Sequence, residues 1–137
     1  DASVKAAEQR IVQINSELST QKVIQKHCDS YRLCRKVIED CKSAKNPIAY
    51  RTKHQAEYQL HDSLKKELQD LGVTKIPSSN KIQKRIENLV SEQAATVREK
   101  QELQKKQKAL DIIRQNFTAL LNAPEMQIQT QIKEEIL

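Results

Sequence analysis

Glycine occurs once in this 137-residue chain, at Gly72, tryptophan is absent, and the aromatics are three tyrosines and Phe117. A single glycine leaves no material for a phosphate-cradling glycine loop, and no G-x-S-x-G or H-E-x-x-H pattern occurs. Few bulky apolar groups, each worth roughly 1.5–3 kcal/mol when buried, means that no thick globular core can form. Turn residues and β-branched runs are both sparse, which argues against sheet. No stretch approaches the 18 or more consecutive apolar residues of a membrane span. There is no secretory signal and no initiating methionine, and helical periodicity begins almost at Asp1, as expected of a piece of a longer protein.

What the chain does have is charge and helical periodicity. Charged residues make up 31% and apolar residues 37%, enough for the narrow seam between long helices, which needs about two or three apolar residues in seven. Lysine and arginine outnumber the acids by 24 to 18, giving a net charge of +6. That excess favours polyanions such as nucleic acid, or an anionic membrane surface, although helical proteins without such partners also carry it. Cys28, Cys34 and Cys41 form an odd set within a helical pattern, where disulfide geometry is hard to reach. Buried, reduced thiols of a cytoplasmic protein are the simpler expectation.

Apolar spacing predicts three helices, over about 3–44, 52–71 and 80–122, with 123–137 a short helix or a disordered tail. In the first, Val4, Ala7, Ile11, Ile14 and Leu18 follow a 3-4 seam that passes through polar Gln21 and resumes at Ile24, Cys28, Tyr31, Cys34 or Arg35, Ile38 and Cys41. Pro47 bars helix continuation and makes 45–48 a turn or linker. Leu60, Leu64, Leu68 and Leu71 stripe the second helix, Gly72 is its expected left-handed cap, and Ile76 should tuck against the helices. Ser78 or Ser79 is suited to cap the third helix, whose seams are Ile82, Ile86, Leu89 or Val90 and Val97, then Leu103 to Leu121. Pro124 should end it. The expected fold is all-α: a long, antiparallel, coiled-coil-like helical hairpin with the short helix making a three-helix bundle at one end. Residues 4–18 and 110–121 are expected to pair as a two-helix stalk.

Several constellations could carry chemistry. His27 and the three cysteines lack the tight C-x2-C spacing of structural zinc sites, so no metal is expected. His54, Glu57 and His61 share a helix face, but no matching E-x-x-H pair exists to complete a bundle metal site. Tyr31, Tyr50 and Tyr58 have no histidine cluster beside them that would make one a strand-transfer nucleophile. Neither a catalytic residue nor a cofactor is therefore expected. Basic residues cluster at Arg32, Arg35 and Lys36; at Arg51 and Lys53; at Lys81, Lys84 and Arg85; and at Lys105, Lys106 and Lys108. Either these line a solvated face with ion pairs worth about 0.2–0.5 kcal/mol each, or they track phosphates without regard to base sequence. Base-stacking aromatics are too few for a single-strand platform.

From Tyr50 through His54, Ala56, Glu57, Leu60, His61, Leu71, Gly72, Lys75, Ile76 and Pro77, followed by a Lys- and Glu-rich helix, the chain resembles a known pattern. It is similar to the C-terminal helical region of relaxases (mobilisation nucleases) of Gram-positive conjugative elements and plasmids. A long helix with adjacent tyrosine and arginine, here Tyr31 and Arg32, precedes that pattern. The likeness covers about residues 8–121 and is most specific over 50–77; along the long helices it is one of character only. Relaxases nick the transfer origin with a tyrosine and a histidine-bound metal in an N-terminal nuclease, and no such histidine triad is present to receive that role. What the resemblance implies is a non-catalytic domain assisting relaxosome assembly or DNA transfer. Its partners would be transfer-origin DNA, accessory proteins or the coupling protein of the secretion channel. Tyr50, His54, Glu57 and His61 would then be a structural junction.

On this reading the candidate DNA-binding residues are Lys81, Lys84 and Arg85 first, then Arg32, Arg35 and Lys36. A coiled-coil scaffold or homodimerisation domain without a nucleic-acid role is the alternative. Convergence of the basic side chains on one face would favour the first; evenly interleaved acids would favour the second.

Overall fold

The computed structural model describes the backbone of residues 1–136 and the side chains of 1–122. The fold is all-α, with no strand among the described residues. Its helices are α1 (Ala2–Asp40), α2 (Pro47–Lys53), α3 (Gln55–Asp70) and α4 (Ser79–Ile136). The third helix does not end at Pro124 as expected: α4 runs on through it to Ile136. A proline within a helix forfeits one backbone hydrogen bond, and the remaining turns carry the helix past it. The side chains of 123–137 lie outside the described residues. Among the described residues, no helix is long and apolar enough to cross a membrane.

Two compact units divide the chain, Val12–Ala94 and the pair Asp1–Ile11 with Ala95–Leu137. The first is a three-helix bundle. Its core takes Ile14, Leu18, Ile24, Cys28, Tyr31 and Cys34 from α1, Leu64 and Leu68 from α3, and Ile82, Ile86 and Leu89 from α4. Cross-links on its rim run antiparallel: Asn15 accepts from Gln93, Glu17 pairs with Arg85, and Gln25 donates to Gln83 at 2.8 Å. Gln25 thus spends its side chain on a rim hydrogen bond beside the seam, and Gln21 is half-buried next to it.

Local chemistry explains where the helices stop and start. α1 ends at Asp40, short of the expected 44, and tightens into a 3-10 turn at Cys41–Ser43 closed by Ala44 N–H on the Cys41 carbonyl at 3.2 Å. Residue 47 opens a helix instead of lying in a turn. Proline needs no N–H partner at the first helical position, and the Asn46 side chain accepts from Ala49 N–H at 3.2 Å. The expected second helix is two, bent at His54, which caps the end of α2 and the start of α3.

At the end of α3, Gly72 takes φ +83°. Val73 N–H reaches back to the Leu68 carbonyl at 2.8 Å and Gly72 N–H to Gln69 at 3.0 Å, the paired bonds of a Schellman cap. Val73 and Ile76 then pack against the bundle core, which anchors the loop between α3 and α4. The α3 stripe differs from the leucine line: Leu64 and Leu68 are buried, whereas Leu60 and Leu71 are 48% and 40% exposed. His61 takes the position one turn before Leu64 and stacks on Tyr31, ring centroids 4.6 Å apart. A ring on a ring fills that position with more surface than leucine would offer.

In the second unit, α1 and α4 pair antiparallel through Glu8 and Lys100, 3.4 Å apart, beside buried Ala7 and Thr96. The pairing of residues 4–18 with 110–121 does not form. Ile14 and Leu18 lie in the bundle core, and the Glu8–Lys100 register leaves Leu110, Ile113, Phe117, Leu120 and Leu121 exposed. Antiparallel helices advance in opposite directions at the same rise, so α1 reaches its first residues before α4 reaches 110.

Candidate nucleic-acid interface

The first turns of α4 gather a basic group of the bundle. Ser78 caps the helix: its Oγ accepts from Lys81 N–H at 3.2 Å and its carbonyl from Ile82 N–H at 3.2 Å. Lys81, Lys84, Arg85 and Asn88 follow at i, i+3, i+4 and i+7, which puts all four on one helix face. With Gln21 of α1 and Pro77 they border an open groove of about 330 Å³ floored by Ile82. The helix N-terminus adds its partial positive charge to those of the side chains. Glu17, bound to Arg85, is the acid facing this group across α1.

The other candidates are placed differently. Arg32 donates to the carbonyl of Pro77 and to Asp29 at 3.2 Å, so it ties the groove's proline to α1 and holds the loop. Arg35 pairs with Glu39 at 3.3 Å, and that hydrogen bond raises its already high pKa; Lys36 is exposed beside it. The six residues therefore separate into a convergent trio, one tether and two surface cations. Asn88 was not singled out from the sequence, and Gln21 stood out only as a polar break in the α1 seam. Asn88 could have been, being i+7 from Lys81, whereas Gln21 arrives only through packing.

The residues expected to form a junction hold α2 and α3 to α1. Tyr50 donates its hydroxyl to the Val37 carbonyl at 3.0 Å and lies against His54 with centroids 4.3 Å apart. His54 Nδ1 is 3.5 Å from Glu57, His61 stacks on Tyr31, and His27 Nε2 is 3.2 Å from Glu67. Each imidazole thus has its own neighbour, and no group of three or more His, Cys, Asp or Glu among the described residues could hold a metal ion. Burial pushes the Cys28 and Cys34 thiols above their ordinary pKa, Glu57 adding to the effect at Cys34. Thiols so placed hold little thiolate at neutral pH and make poor nucleophiles. Tyr58 is raised too, first by its hydrogen bond with the Cys41 thiol and then by desolvation, with the Arg51 guanidinium 5.0 Å over its ring opposing the shift.

No protein-family model, curated protein or solved structure matches this chain.

Proposed function

We propose that this chain is a non-catalytic, DNA-holding helical module of a conjugative relaxase, gripping phosphates without regard to base sequence. The convergence of Lys81, Lys84 and Arg85 on one groove at the start of α4 carries the reading. Three cations against one facing carboxylate make a site for an extended polyanion, since each phosphate contact releases a condensed counterion. The relaxase part rests on the sequence resemblance of residues 50–77, and with it the cytoplasmic setting, the transfer-origin DNA and the coupling protein as an additional partner.

A coiled-coil scaffold is the second reading, favoured by a separate observation. Arg32 with Asp29, Arg35 with Glu39 and Lys100 with Glu8 are interleaved pairs of a solvated helical surface.

Fluorescence anisotropy with single-stranded and duplex DNA, at low and near-physiological salt, decides between them. DNA holding predicts a fall of log affinity against log salt with a slope of roughly −2 to −3 for a three-phosphate grip on duplex. Changing Lys81, Lys84 and Arg85 together to glutamine should flatten that slope. No binding at low salt sinks the DNA role and leaves the scaffold.

A further inference from the structure

The groove at the start of α4 holds more than cations. Its floor is Ile82, 3% exposed, and the Pro77 ring borders that floor. Pro77 is half-buried and fixed in place by Arg32, whose guanidinium donates to its carbonyl. Two amides complete the border: Gln21, reaching in from α1, and Asn88, one turn of α4 beyond Lys84. Neither amide has a side-chain partner among the described residues. Gln21 is half-buried as well, so it gives up hydration without a protein hydrogen bond in return. A site for phosphate alone would need Lys81, Lys84 and Arg85 and would have no use for the proline or the amides.

Such a border suits a ligand with an anion at one end and a flat body with polar edges at the other. A nucleotide has that form. Its phosphate meets the cations, the face of its base lies against the Pro77 ring, and the edge of the base meets the amides. A carboxamide both donates and accepts, so this pair serves a base of any identity. Duplex DNA does not offer a nucleotide in this way, because its bases are paired and stacked within the helix and present only their groove edges. Extruding one from a duplex costs unpairing and unstacking free energy that an unpaired strand never spends. At about 330 Å³ the groove is at the small end of ligand pockets, the size for one nucleotide and not for a double helix.

We infer that this groove holds one unpaired nucleotide of a DNA single strand. Its phosphate sits on Lys81, Lys84 and Arg85, and its base on Pro77 between Gln21 and Asn88. The inference deepens the DNA reading and rests on it, adding which form of DNA is held and which two neutral side chains select it. It is a grip on a single nucleotide and not a run of stacked bases, for which the chain has too few aromatics.

The test is fluorescence anisotropy of the whole chain at low salt with three labelled probes. These are an oligothymidylate, a duplex of the same length, and an abasic strand that keeps the phosphodiesters and lacks the bases. The oligothymidylate should bind tightest, by about tenfold over the other two, the scale of one base contact. Gln21→Ala together with Asn88→Ala should lower its affinity to that of the abasic strand. The same variant should leave abasic-strand binding and the salt slope unchanged, since the phosphate contacts remain. A general loss of fold would lower all three affinities and the helix content by circular dichroism. The Lys81, Lys84 and Arg85 glutamine variant should weaken all three probes. Duplex or abasic strand bound as tightly as oligothymidylate overturns the inference and leaves the DNA reading standing. A preference for oligothymidylate that survives the Gln21 and Asn88 changes also overturns it, by placing the base elsewhere. Failure of every probe to bind overturns the inference and the DNA reading together.

Discussion

The bundle of Val12–Ala94 and the helix pair of Asp1–Ile11 with Ala95–Leu137 are built from the same kind of sequence and treat it differently. In the bundle, apolar residues at heptad spacing are covered, because α3 and the 73–76 loop close the side that two helices leave open. In the pair, equally regular spacing ends in exposed leucines, isoleucine and phenylalanine. Periodicity therefore reports which face of a helix can be buried. Whether it is buried depends on another element reaching it.

Core truncations should separate the two regions most strongly. Leu68 and Leu89 are 1% and 0% exposed, so Leu68→Ala or Leu89→Ala should cost about 2–5 kcal/mol in urea unfolding. Ile113→Ala should stay within about 0.5 kcal/mol, as for an exposed site. An equal loss at Ile113 would break the comparison by showing that the stripe is already covered.

Alkaline pH should come next. The thiols of Cys28 and Cys34 and the hydroxyl of Tyr50 have folded pKa values raised chiefly by burial, and all three lie in the bundle. An acid whose folded pKa exceeds its unfolded value leaves stability untouched below the unfolded value. As pH climbs past the unfolded thiol value the unfolded chain binds fewer protons, and stability falls. Thermal midpoints should hold up to about pH 8 and decline above it, and Cys28→Ala with Cys34→Ala should lessen the decline in the thiol range. A flat profile to pH 10 would show those thiols to be solvated.

An effect smaller than the core truncations belongs to the α3 cap. A Cβ on Gly72 would meet nothing within 4 Å, so Gly72→Ala should cost only the left-handed backbone conformation, about 1 kcal/mol. A much larger loss in urea unfolding would mean that the cap sets the packing of Val73 and Ile76 as well as ending α3.

Much of the fold was legible where local chemistry and periodicity agree. Gly72 at a left-handed cap, Ser78 at an N-cap, Ile76 against the core and the Ile82–Ile86–Leu89 seam are properties of residue type at a given spacing. The start of α2 was misread for want of the Asn46 side chain: proline forbids continuation of a helix from before it but suits the first turn of one after it. The leucine stripe of α3 erred by one position because His61 had a ring, Tyr31, to lie on, and that partner is 30 residues away in sequence. At the candidate interface, Lys81, Lys84 and Arg85 were readable from their spacing along one helix. That Arg32 is spent on the Pro77 carbonyl, and that Gln21 borders the groove, were not.

By itself the sequence determined that the chain is helical, that its seams are narrow, and that basic residues gather at the start of its longest helix. These follow from helix propensity, the 3-4 recurrence of apolar side chains and the face shared by residues three and four apart. Tertiary structure decided the register of α1 against α4, and with it which apolar stripe is core and which remains open. Register is the sum of many small, nearly equivalent seam contacts along repeating positions, and neighbouring alignments differ too little for a one-dimensional pattern to choose among them.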